Sequence, residues 1–294
     1  MSREGDMSES AIADFVTSFI PDTATHAEPV RGRVVMSKRR IVLATEDDKV
    51  TIPLSGVFDV QHETAPGDLA EFFDDTVTVG YERDGDRHVA VIEGAGDTVE
   101  RFVVLVFKGL LNGATVYAKH PARRGGRVTD EPFASGKLRV SPGTVEVRGD
   151  AGVELDISTV THFERVDRDV NGSSRQLLSV RHMGDTGPVT TELALDSGRK
   201  MNLLGRFIRL RYTHLKQDLK DVDLTDEEIE ALVAIYSSGP SANLATVLGV
   251  DASQLTMYLN GLIDKGLVED TEGGTRLTSM GRAAVSEHIE DVNI

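Results

Sequence analysis

The sequence predicts an α+β multidomain fold: two similar antiparallel β units, each closed by one helix, followed by a smaller helical unit that carries a hairpin. Three observations predict it. The run Gly32–Ser37 recurs as Gly136–Ser141, about 104 residues later. The apolar residues Val50, Ile52, Leu54 and Val57 recur as Val153, Leu155, Ile157 and Val160, alternating as half-buried strands require. From Thr225 onward the pattern changes to helix starts and stops at short intervals. A repeat of that length is too long for a solenoid and suits a duplicated domain.

Taken in order, Ser10 caps a short amphipathic helix that presents Ile12, Phe15, Val16 and Phe19 and ends at Pro21. Residues 1–24 are therefore a segment apart, and residues 25–113 are the first β unit. Turn residues divide its strands at Glu46–Asp48, Asp84–Gly85 and Gly94–Gly96. Asp97 or Thr98 then caps a helix with Val99, Phe102, Val103, Val106 and Leu110 on one side, ending before Asn112–Gly113. Residues 114–221 repeat the plan, and Ser197 opens a long helix with a Met201, Leu204, Ile208, Tyr212, Leu215 and Leu219 seam. Short antiparallel strands followed by one helix are the pattern of a pleckstrin-homology-like barrel, its open end plugged by the helix.

Residues 222–294 read as a winged helix-turn-helix. Thr225 and Glu228 form a capping box, and Ser238-Gly239-Pro240 breaks that helix. Ala242–Leu248 is a short helix, Gly249 turns, and Asp251 caps a third. A strand from Gly266, a turn at Glu272–Gly274 and a return through Arg276-Leu277 precede a last helix capped by Thr278.

Charge narrows the function. The 294 residues carry 48 Asp+Glu against 32 Lys+Arg, a net of -16, and the cations divide into 9 Lys and 23 Arg. Many acids and few lysines suit solubility in concentrated salt, as in a halophile's cytoplasm, where the Debye length falls to about 3 Å at 1 M. The absence of an 18-residue apolar run argues against a transmembrane helix, and no basic-then-apolar leader opens the chain. Without cysteine there is no disulfide, thiol nucleophile or thiolate metal site.

Catalytic signals are thin. Gly94-Ala-Gly96 lacks the third small residue and the βαβ context of a dinucleotide fingerprint, and no Gly-x-Ser-x-Gly elbow occurs. The histidines never pair at metal-ligand spacing. The expectation is a non-enzyme with no catalytic, cofactor or metal site.

A winged helix invites a DNA-binding reading, but residues 224–294 hold three cations, Lys265, Arg276 and Arg282, against twelve acids, a net of -9. Phosphate affinity comes from clustered cations, so a polypeptide partner is expected and nucleic acid is not. The long helix is the exception: Arg199 to Lys220 hold seven Lys/Arg and one acid, Asp218. Arg199, Arg206, Arg209, Lys216 and Lys220 fall within an arc of roughly 100°, a landing strip for an acidic partner. The alternatives are a solvated face or neutralisation by the acidic winged-helix unit that follows. Leu203, Phe207 and Leu210 form a second flank, so the helix contacts another domain as well as its own sheet. In strong salt, Phe207 and Leu210 would have to act as exposed apolar anchors.

The runs Arg31-Gly-Arg-Val-Val-Met-Ser, Phe107-Lys-Gly-Leu-Leu-Asn-Gly-Ala-Thr-Val-Tyr-Ala-Lys-His-Pro-Ala and Asp196-Ser-Gly-Arg-Lys-Met-Asn-Leu-Leu-Gly-Arg-Phe-Ile resemble the archaeal taxis protein CheF family. The similarity runs from about Val30 to the end. It implies a cytoplasmic adaptor of archaeal chemotaxis that links the response regulator CheY, with CheC and CheD, to the switch proteins of the archaellum motor. It carries no interface residues over, so the site residues rest on charge alone. The alternative is a DNA-binding transcription regulator with barrel sensor domains; a lipid-binding barrel pair is a third reading. A homodimer is compatible with the sequence.

Overall fold

The computed structural model describes residues 10–23, 28–64, 73, 75–94, 96–184, 187–238, 243–271 and 274–292. It is a mixed α+β fold of mostly antiparallel sheets with six helices among the described residues. The first sheet holds β1 (Ala13–Ile20), β2 (Val30–Met36), β3 (Arg40–Ala44), β4 (Lys49–Pro53), β5 (Val57–Thr64), β6 (Asp75–Arg83) and β7 (Asp86–Gly94). Its order is β4-β3-β2-β1-β7-β6-β5, and α1 (Gly96–Leu111) follows. The second sheet holds β8 (Thr115–Arg124), β9 (Arg127–Val128), β10 (Ala134–Ser141), β11 (Thr144–Gly149), β12 (Val153–Asp156), β13 (Val160–Val170), β14 (Ser173–Gly184) and β15 (Gly187–Leu195). Its order is β12-β11-β10-β8-β15-β14-β13, with the short β9 pairing β8, and α2 (Gly198–Lys220) follows.

With β9 set aside, the two orders are the same. Both halves also place a 3-10 turn at the same point, Leu54–Gly56 before β5 and Ile157–Thr159 before β13. The repeated sequence pattern is therefore a repeated topology.

One expectation is corrected. The stretch from Ser10 to Pro21 is not an amphipathic helix but the central strand β1, paired with β2 from Ala13↔Met36 to Phe19↔Val30 and with β7 at Phe19↔Ile92. Phe15 and Phe19, four residues apart, share a side under either periodicity, so they cannot separate helix from strand. Inside the sheet Phe15 meets Phe102 edge-on at 5.2 Å and Phe19 is fully buried, whereas Val16 points to solvent. Long-range pairing overrides the local pattern. The first sheet thus starts at Ala13, inside the segment assigned to residues 1–24.

The helices start where their caps predict. Ser197 Oγ accepts from the Lys200 amide. Thr225 and Glu228 exchange hydrogen bonds at 2.9 and 3.3 Å, opening α3 (Asp226–Ser238). Asn243 caps α4 (Leu244–Leu248), which ends at Gly249 with φ of 68°, a left-handed turn that glycine adopts freely. Asp251 and Gln254 form a second capping box on α5 (Ala252–Asp264). The hairpin of β16 (Val268–Thr271) and β17 (Gly274–Leu277) leads to α6 (Ser279–Val292), where Thr278 Oγ1 accepts from the Gly281 amide. The Gly239-Pro240 break, Ala242, Glu272 and the Asp97 side chain lie outside the described residues.

Two cores result. The larger runs without interruption through both sheets and both of their helices, from Phe19 and Val34 to Phe207 and Ile208. The α1 helix of the first half and the turn after it join the halves: in the turn the Asn112 side chain accepts from the Val140 amide of β10 at 2.8 Å, and on the helix the Phe107 ring lies 5.3 Å from that of Phe207. The smaller core holds Leu232, Leu244, Leu262, Leu267 and Val285, together with Leu219 from the end of α2. An ion pair of 2.7 Å between Arg282 and Asp156 ties α6 to the second half.

Candidate protein-binding site

The cationic face of α2 does not stand alone in solvent. It lies against β5 of the first half, so its side chains line the junction between the halves. The Arg199 guanidinium donates to the Ser55 carbonyl. Arg206 makes a two-pronged contact with Asp59, both bonds at 3.2 Å. The pair is about a third exposed on each side, so it contributes at most about 1 kcal/mol, but it fixes the Arg206 fork. Lys216 lies 5.2 Å from the Tyr212 ring centre and Lys220 is exposed. Arg209 is exposed as well and rests its guanidinium 5.7 Å from the centre of the Phe163 ring of β13.

Phe207 and Leu210 are corrected. Both are buried, Phe207 against Phe107, so neither is an exposed anchor. The same observation supports the other expectation for this flank, that the helix touches a second unit. The side turned away from its own sheet is apolar because the first half covers it.

Arg206 and Arg209 separate two open clefts, each of about 390 Å³. The first is walled by Phe58, Asp59, Phe163, Arg165 and Asn202. The second is walled by His62, Glu100, Thr213, His214 and Gln217. There the rings of His62 and His214 meet at 5.2 Å, one from each half, and Glu100 Oε1 stands 4.0 Å from His214 Nδ1. Burial lowers the pKa of both imidazoles, and the nearness of His62 lowers that of His214 further. Both rings are therefore neutral at pH 7, which leaves the arginines as the cations of this junction.

The walls of these clefts carried no sequence signal. Asp59 and Arg206 are 147 residues apart, and β5 and β13 hold no motif that announces them. The cations of the third unit are also placed. Lys265 Nζ binds both oxygens of Glu228, at 2.7 and 2.5 Å. Burial pushes the Glu228 carboxyl up, but the Lys265 hydrogen bond, the Thr225 amide and the Lys265 charge together hold it below the ordinary range. Arg282 is taken by Asp156. Two of the three cations of this unit are thus neutralised inside the protein.

No helix among the described residues is long and apolar enough to cross a membrane, and no three metal-ligating side chains gather among them. Residues 11–214 match the sequence model of a family described as archaeal chemotaxis signal transduction system protein F. The chain is 76% identical to Taxis protein CheF2 of Halobacterium salinarum over 288 residues, 98% of this chain and 100% of that one. It is 27% identical to Taxis protein CheF1 of the same organism over 267 residues, 89% of each. A solved structure titled Structure of the Spt16D Pob3N heterodimer aligns with 62% of this chain and 95% of its own, at 15% identity and a TM-score of 0.25, too slight a likeness to carry weight.

Proposed function

The chain belongs to the archaeal CheF family of chemotaxis signal transduction proteins, and from that premise we propose that it is a non-catalytic cytoplasmic adaptor. In this reading two pleckstrin-homology-like halves and a winged-helix end link phosphorylated CheY, with CheC and CheD, to the archaellum switch in a salt-rich cytoplasm. The observation that carries it is the cationic junction: in a chain of net charge -16, Arg209 stays exposed between two open clefts, with Arg206 held beside it. A response-regulator domain presents an acidic pocket, and electrostatic complementarity of that kind selects the partner and sets the register. The DNA-regulator alternative has against it the anionic third unit, whose Lys265 and Arg282 are already paired.

Arg209 is the residue to change, because Arg206 also holds the halves together through Asp59. We expect Arg209→Glu to weaken binding of beryllofluoride-activated CheY about tenfold or more in molar KCl, by calorimetric titration, with an unchanged circular dichroism spectrum. Wild-type affinity in the variant would remove this face from the interface.

A further inference from the structure

Six large apolar side chains are exposed among the described residues: Ile12, Val16, Val128, Val247, Met257 and Ile263. Three of them lie in the third unit, Val247 on α4 (53% exposed) and Met257 (62%) and Ile263 on α5. At the helical step Ser253, Met257, Asn260 and Asp264 fall on one side of α5. Asp264 is exposed on that side; on β16, which follows α5, Glu269 and Asp270 are exposed on opposite faces of the strand, Glu269 with the exposed Arg276 of β17 directly opposite it, while Lys265, at the end of α5, is bound to Glu228. The unit as a whole carries a net of -9, so the surroundings of this apolar centre are acidic on balance.

The second sheet carries its counterpart. Strand register sets Val128 opposite Arg123, Arg123 opposite Thr190, Thr190 opposite Arg181, and Arg181 opposite His162. Residues directly opposite in a sheet share a face. The neighbours Ala122, Thr191 and Val180 are buried on the other side, so this row faces solvent. It runs across the sheet from Val128, 71% exposed, through two arginines to a histidine, with no carboxylate in it.

We propose that two copies of this chain pair through these surfaces. The basic row of each copy meets the α4–α5 face of the other, twice, about a twofold axis. Twofold symmetry demands this reciprocity: if the row of one copy touches the helical face of its partner, the partner's row touches the first copy's face. Both surfaces combine charge with an exposed apolar side chain. That combination suits concentrated salt, where charge alone is screened within about 3 Å at 1 M and apolar contact has to supply affinity. The pairing is independent of the regulator site on α2.

Sedimentation equilibrium of the full chain in molar KCl tests it. The wild type should weigh about 64 kDa, twice the 31.9 kDa of one chain. The double variants Arg123→Glu/Arg181→Glu and Asp264→Arg/Glu269→Arg should each sediment as monomers. Mixed in equal amounts, they should recover the double mass, because each then presents the charge the other needs at both contacts. A monomeric wild type at about 100 μM, which places any dimer Kd above that value, overturns the proposal. So do double variants that still self-associate, or a mixture that stays monomeric.

Discussion

At the scale of single residues the protein keeps several ionisable groups where their partners fix their charge. His182 is the clearest. It is buried in the second sheet, stacked 5.8 Å from the His120 ring, and both imidazoles bond Thr191 Oγ1, at 2.9 and 2.7 Å. Burial, then the neighbouring His120, lowers its pKa from 6.5 to about 4. Between those values the unfolded chain binds the proton that the folded chain refuses, so stability falls as the pH drops from 6.5 toward 4. The full loss is about 3 kcal/mol, and about 2 kcal/mol of it is reached by pH 5. Urea unfolding at pH 7 and pH 5 measures this, and His182→Gln should shrink the difference between the two. An equal pH dependence in the variant would assign the effect elsewhere. None of this was legible in the sequence, where His120 and His182 are 62 positions apart and only sheet register brings them together.

At the scale of elements, what the sequence disclosed was what is local. Ser197, Thr225, Asp251 and Thr278 mark helix starts because a cap is satisfied within three residues. β1 was misread because its pairing partners, β2 and β7, lie elsewhere in the chain. The seat of α6 was equally hidden. Gly281, in its first turn, passes so close to the hairpin that an added Cβ would stand 2.0 Å from the Leu267 carbonyl oxygen. Backbone cannot yield there, so Gly281→Ala should lift α6 off the hairpin and cost about 1–3 kcal/mol. Hydrogen exchange should then quicken in α3, α6 and the hairpin while the two sheets keep their protection. Unaltered exchange in the third unit would show that the helix shifts without cost.

At the scale of the whole molecule, the apolar side of α2 was read correctly as touching a second unit and wrongly as exposed. Both follow from one fact, that the first half covers it. Phe207 is fully buried in the core the halves share. Phe207→Ala should therefore cost about 3–5 kcal/mol, and amides of both sheets should lose protection together. Faster exchange confined to β8–β15 would mean that the halves fold separately. The candidate site follows the same logic: its cations were visible as a run on one helix, but Asp59 and His62 enter only when the halves meet, and Phe163 only when β13 packs beside α2.

α2 has a last consequence. Its 23 residues extend about 34 Å at the usual 1.5 Å per residue. It plants Phe207 in the shared core and Leu219 in the smaller one. Such a rod acts as a strut: a push on the far unit is delivered to the junction as rigid displacement rather than dissipated in a linker. Its length therefore sets the distance between the junction of the halves and the smaller core.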